Sequence, residues 1–224
     1  LVYLSEVQKV IVTDFRYTEH AERKAPGFRV EMTEQGRNHN QILAELIKAD
    51  GITELRAETN YLPVDDFEKM RSAIGEEISC LPLNRAIQKL REVKSQTEVL
   101  AIRKACDITS EAFNAILPKI REGMTEKELQ IELNFTMLRM GADEMAFDTI
   151  IAAGENGSLP HAIPGDRAIR RGDMIKMDFG AKGGNYRADM VEKFEALIAP
   201  KKYSWKLRDI LPKVLRAGES GGVP

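Results

Sequence analysis

The sequence predicts an α/β (α+β) chain in two parts, a small α/β domain over residues 1–93 and a mixed domain over residues 94–224. Three observations predict it. Short β-like runs alternate with helical stretches through the first ninety residues, the pattern of a layered α/β unit. At residues 91–95 the rhythm changes, and Ser95-Gln96-Thr97-Glu98 forms a capping box that opens a long helix. After Gly141 the pattern switches from helices to strands.

In order along the chain, Val10-Ile11-Val12 reads as a buried strand and residues 15–24 as a helix after Asp14. Residues 28–32 form a second strand. Asn38 caps a helix that runs to Asp50, with Gly51 at the position where a left-handed residue ends it. Residues 53–58 are strand-like, residues 65–74 helical up to Gly75, and residues 78–81 another strand. The long helix over residues 96–117 takes its apolar face from Val99, Ile102, Cys106, Ile108 or Thr109, and Phe113. A second capping box, Thr125-Glu126-Lys127-Glu128, opens the next helix, and Met124 and Leu129 can staple its start. Strands follow over residues 147–153, 174–179 and 186–197. Residues 203–216 return to helix, and residues 218–224 read as loop.

Composition narrows the function. The 224 residues hold 33 basic and 35 acidic side chains, a net charge of −2, so no basic surplus drives nucleic-acid or membrane binding. Two cysteines, Cys80 and Cys106, make neither a disulfide framework nor a CxxC motif and are expected to be reduced thiols. No apolar run reaches bilayer length and no signal peptide stands at the front, so the cytoplasm is the expected compartment. The chain begins at Leu1 rather than Met, and its front is expected to be missing.

The informative stretch runs from Met177 to Met190. Gly183-Gly184 suits a two-residue turn, because glycine accepts positive φ. Counting outward from it sets Asp178 directly opposite Asp189. Residues so opposed point to one side of a sheet with Cβ atoms about 4.5–5.5 Å apart. Two carboxylates held there repel, and a divalent cation removes the conflict. Two acids near a turn also fit a solvated pair on an exposed sheet face, and a bulge would shift the register. Upstream, residues 147–164 run from a strand into a Gly/Asn/Pro-rich loop that presents His161 between Pro160 and Pro164. A stiff loop of that kind suits substrate contact or proton transfer, and a plain surface histidine fits as well. His20 and His39 have no assigned role.

At these two segments the chain resembles the metallopeptidases of the prolidase, aminopeptidase P and creatinase type, Xaa-Pro dipeptidases foremost. Thr13-Asp14-Phe15-Arg16-Tyr17 and Leu90-Arg91-Glu92-Val93-Lys94-Ser95 extend the likeness, in order, over nearly the whole chain. The resemblance implies a creatinase/prolidase-like N-terminal domain followed by the first half of a pita-bread catalytic domain. It implies two divalent metal ions, Mn²⁺ first and Co²⁺ or Zn²⁺ next, with Asp178 and Asp189 as ligands. It implies His161 as a catalytic and substrate-binding residue, and a proline-containing peptide as substrate. That family's site needs five ligands, two Asp, one His and two Glu. No histidine follows His161 here, and the later acids Glu192, Glu195, Asp209 and Glu219 lack the expected context. The usual Met-Thr-Arg-Thr after the second aspartate reads Met190-Val191-Glu192-Lys193, so a hydroxyl near the metal is expected to be lost.

The expectation is therefore a peptidase fragment trimmed at both ends, lacking opening strands before Val10 and part of its metal site, with little activity of its own. An exposed apolar face should make it self-associate, with a homodimer as the expected assembly. A non-catalytic binding or dimerisation module and a creatinase-like amidinohydrolase are the alternatives.

Overall fold

The computed structural model describes residues 1–195, Glu195 by its backbone alone. The expected helix over residues 203–216, the closing loop, and Asp209 and Glu219 lie outside the described residues. The chain divides into two compact units, Leu1–Val93 and a second from Lys94 onward.

The first unit opens with β1 (Val2–Leu4), paired antiparallel with β2 (Lys9–Thr13). A strand thus stands ahead of Val10, where none was expected. Helix α1 (Thr18–Lys24) starts later than the expected residue 15. The reason is local: the Asp14 carboxylate accepts from the Arg16 backbone N–H at 3.0 Å and from its guanidinium at 2.8 Å, which holds a turn there. β3 (Arg29–Met32) lies parallel to β2. Helix α2 (His39–Asp50) has the expected ends, with the Asn38 side chain accepting from Gln41 N at 3.1 Å and Gly51 left-handed at φ 65°. β4 (Glu54–Ala57), α3 (Val64–Ile74) and β5 (Ser79–Pro82) form a parallel pair with its crossover helix, followed by the short α4 (Ala86–Leu90). Val10, Val12, Ile42, Leu43, Ile47, Met70 and Ile74 close one core between these elements.

The second unit carries the site. Helix α5 (Gln96–Ile116) begins at the Ser95 capping box and α6 (Glu126–Arg139) at the Thr125 box, where Thr125 Oγ1 accepts from Glu128 N at 3.0 Å. Met124 and Leu129 are buried in the same core. The buried face of α5 is Ala105, Ile108, Thr109, Ala112, Phe113 and Ile116, and Cys106 is exposed. A one-residue offset turns a helix by about 100°, so Ala105 rather than Cys106 takes the inward position.

Strands β6 (Glu144–Met145), β7 (Ile150–Ala153), β8 (Met174–Phe179), β9 (Ala181–Gly183), β10 (Tyr186–Arg187) and β11 (Met190–Glu195) follow. They form two three-stranded sheets, ordered β11-β8-β7 and β10-β9-β6. The expected strand over residues 147–153 shortens to β7, with the separate β6 lying ahead of it, and the expected strand from Tyr186 is broken at Ala188 and Asp189. The first arm of the hairpin changes sheet at Gly180 and the second at Ala188 and Asp189. A Cβ at Gly180 would lie 1.9 Å from the Ala188 carbonyl oxygen, so only glycine permits the crossing. Behind β8, Phe113 stacks on Phe179 at 6.1 Å and meets Phe194 edge-on at 6.0 Å. Each such pair adds about 0.5–1.5 kcal/mol beyond its buried area. The aromatic trio fixes the back of the sheet whose front bears Asp178.

Candidate active site

The turn of the hairpin is Gly184-Asn185, not Gly183-Gly184. Both turn residues have positive φ, 58° and 68°, as a primed two-residue turn requires. Asparagine tolerates that region well enough to share the turn with glycine. Tyr186 then pairs with Gly183, Phe179 with Met190, and Asp178 with Val191. The expected face-to-face pairing of Asp178 with Asp189 is therefore corrected: the register differs by two residues. A slip of one would have thrown the acids to opposite faces, whereas a slip of two keeps the face. Asp189 stands one residue before β11, and alternation puts it on the side of Val191 and Asp178. Diagonal neighbours of this kind lie about 7–8 Å apart at Cα.

The charges on this face interact. Burial first, and the Asp189 carboxylate second, push the Asp178 carboxyl above its ordinary value, while the Lys176 ammonium and His161 pull it down. Asp178 is half-buried and Asp189 exposed. Val191 lies directly opposite Asp178, so the position where the resemblance expected a hydroxyl is beside the candidate ligand and holds an aliphatic side chain. Glu192 lies on the other face, opposite the buried Met177, and burial pushes its carboxyl up. Among the acids after Asp189, Glu192 is thus turned away from the pair.

His161 sits exposed in the loop between β7 and β8, near enough to Asp178 to influence its charge. The structure thus brings the three expected site residues to one region. Side chains the sequence reading did not single out hold that loop. Glu126, only 1% exposed, accepts from Ala153 N at 2.8 Å and Asn156 Nδ2 at 3.0 Å through Oε1, and from Gly165 N at 3.3 Å through Oε2. Arg167 reaches Glu155 at 2.7 Å and Asp173 at 2.8 Å, and its guanidinium holds the Glu155 carboxyl down at about 2. Lys176 donates to the Leu159 and Pro160 carbonyls. A signal for Lys176 was present: it is the one cation in Met174-Ile175-Lys176-Met177, two residues from Asp178. Glu126 gave none, because an acid in a helix's first turn is ordinarily explained by the dipole.

Carboxylate oxygens suit hard or borderline divalent cations. Two of them on one face, one raised by burial and then by the other's charge, are the right donors for such an ion. Among the described residues no group of three or more His, Cys, Asp or Glu side chains is placed to hold a metal. The pair would therefore grip a cation with part of its coordination left open.

Residues 101–221 match the family model described as metallopeptidase family M24, and residues 1–93 match the creatinase/prolidase N-terminal domain. An uncharacterized peptidase, YqhT, of Bacillus subtilis is 34% identical over 190 residues, 85% of this chain and 53% of that protein. The structure of an X-Pro aminopeptidase from Thermotoga maritima superposes with a TM-score of 0.80 at 31% identity, covering 97% of this chain and 60% of that one. An Xaa-Pro dipeptidase from Bacillus anthracis gives 0.81 at 32% identity, covering 98% and 60%. The chain thus spans about half the length of the curated relative and somewhat more of the solved structures.

Proposed function

The chain belongs to metallopeptidase family M24, and from that membership we propose that it is part of a peptidase cleaving bonds next to proline, with Asp178 and Asp189 holding divalent metal. The observation that carries this reading is the pair of acids on one sheet face, Asp178 raised first by burial and then by its neighbour's charge, with His161 near them. A bound pair of divalent ions, Mn²⁺ first and Co²⁺ or Zn²⁺ next, would supply a water activated for attack and a Lewis acid at the scissile carbonyl. The chain's own part is to hold those ions through two carboxylates and to present His161 to the substrate. His161 meets the peptide from a loop fixed at both ends, which suits contact with the scissile carbonyl as its charge develops.

Relatives titled X-Pro aminopeptidase and Xaa-Pro dipeptidase support the proline-directed reading over a binding module or a creatinase-like amidinohydrolase. Free thiols at Cys80 and Cys106 favour the cytoplasm. Among the described residues no helix is long and apolar enough to cross a membrane. The test is hydrolysis of an Xaa-Pro dipeptide, with Mn²⁺ supplied, by the product of the whole reading frame. D178N and D189N should each lose more than about 100-fold in kcat/KM, as removal of a metal ligand exceeds the roughly 10–100-fold effect of its supports. Full activity in either variant would reject the assignment. The 224-residue chain alone should show little or no cleavage.

A further inference from the structure

Lys176 is a buried cation, 6% exposed, in the middle of β8. Among the described residues no carboxylate lies within ion-pair distance of it. Its strand neighbours on either side are Ala152 and Lys193, neither of which can balance its charge. Burying an ammonium without acceptors is costly, so its partners matter. They are backbone carbonyls: Nζ donates to Leu159 O and, at 3.2 Å, to Pro160 O.

The placement of these two carbonyls is specific. The Leu159 carbonyl belongs to the peptide plane that enters Pro160. The Pro160 carbonyl belongs to the plane that contains the His161 nitrogen. Proline's ring fixes the φ between the two planes near −65°. One ammonium therefore grips both planes flanking a stiff residue, directly ahead of His161. The other restraints act elsewhere on the loop: Glu126 at Ala153, Asn156 and Gly165, and Arg167 at Glu155 and Asp173. Downstream, Ala162 is buried at 7%. Alternation along β8 sets Lys176 on the same face as Asp178, so the grip joins the histidine's backbone to the strand of the candidate metal ligand.

We propose that Lys176 is a positioning residue for His161, its ammonium tying the Leu159 and Pro160 peptide planes to the strand that carries Asp178. The proposal rests on the peptidase reading only in giving His161 a substrate to meet.

The test is made on the full 224-residue chain and its K176M and K176R variants, by amide hydrogen exchange and by NMR of the imidazole rings. The chain has three histidines, so the His161 ring signal is assigned by its loss in H161Q. The Leu159 amide, which donates to Asn156 O at 3.0 Å, reports the tip of the loop. In K176M the Leu159 amide should exchange about tenfold faster, the scale of losing a hydrogen bond to a charged group. The His161 ring signal should shift while His20 and His39 stay in place. K176R, which keeps a charged donor, should recover both readouts in large part. An unchanged Leu159 amide and His161 ring in folded K176M would overturn the proposal. So would faster exchange spread equally over α5 and α6, which marks a merely structural lysine. If K176M does not fold, the unmodified chain decides: couplings across the hydrogen bonds from Lys176 Nζ to the Leu159 and Pro160 carbonyl carbons are expected, and an ammonium exchanging like a surface lysine would refute the tie. None of these readouts involves turnover. Failure of the peptidase reading leaves them intact, and a slack loop in a working peptidase refutes the tie alone.

Discussion

Glu126 is the residue on which the second unit's loop depends most. Its carboxylate answers two backbone N–H groups and one side-chain amide while itself shut away from water. Truncating it strands those donors, so E126A should destabilise the second unit by about 3 kcal/mol and E126Q by less, read from urea unfolding. Asp178 behaves in the opposite sense. Its pKa is raised in the folded chain, by burial and then by Asp189. A raised acid contributes stability below its unfolded pKa and loses that contribution as pH rises through the folded value. Without added cation, D178N should therefore melt higher than the unmodified chain at pH 7. The gain should shrink toward zero below about pH 4, where both states bind the proton. Calorimetry across that range checks it, and equal melting temperatures at pH 7 would argue against a strained pair.

At the scale of elements, the helices were legible and the hairpin only in part. Asn38, Ser95 and Thr125 each announce a helix through a local contact between neighbours in sequence, and each does what that contact predicts. Hairpin register depends instead on which two residues take positive φ, and three candidates, Gly183, Gly184 and Asn185, stand side by side. The choice of Gly184-Asn185 is consistent with Asp143, whose carboxylate accepts from Gly184 N at 2.9 Å across 41 residues of sequence. No local pattern carries that contact. The same holds for the break at Gly180, which exists because the chain leaves one sheet for another. G180A should cost roughly 3 kcal/mol or more, since a backbone carbonyl rather than a yielding side chain fills the space. Its circular dichroism and melting temperature report the loss, and a G180A chain as stable as the original would contradict the described crossing.

At the scale of the molecule, the division near residue 93 and the family likeness were both readable, because they rest on many weak signals in the right order. For the proposed site, His161, Asp178 and Asp189 are named from the sequence alone, while the diagonal placement of the two acids and the buried residues Glu126 and Lys176 emerge only from the fold. Helix α6 leaves Ile131, Phe135 and Leu138 exposed at 44%, 53% and 44%, an apolar stripe at helical spacing. The chain should accordingly self-associate, and a sedimentation coefficient independent of concentration would count against this. The central claim is that Asp178 and Asp189 act as one cation site, and its most direct test is Mn²⁺ binding to the 224-residue chain, followed by the ion's paramagnetic resonance. The unmodified chain should bind, D178N and D189N should each bind at least about tenfold more weakly, and the double variant should be little worse than either, the non-additivity of groups that share a ligand. Single variants that bind as tightly as the unmodified chain would show that the two acids hold no metal between them.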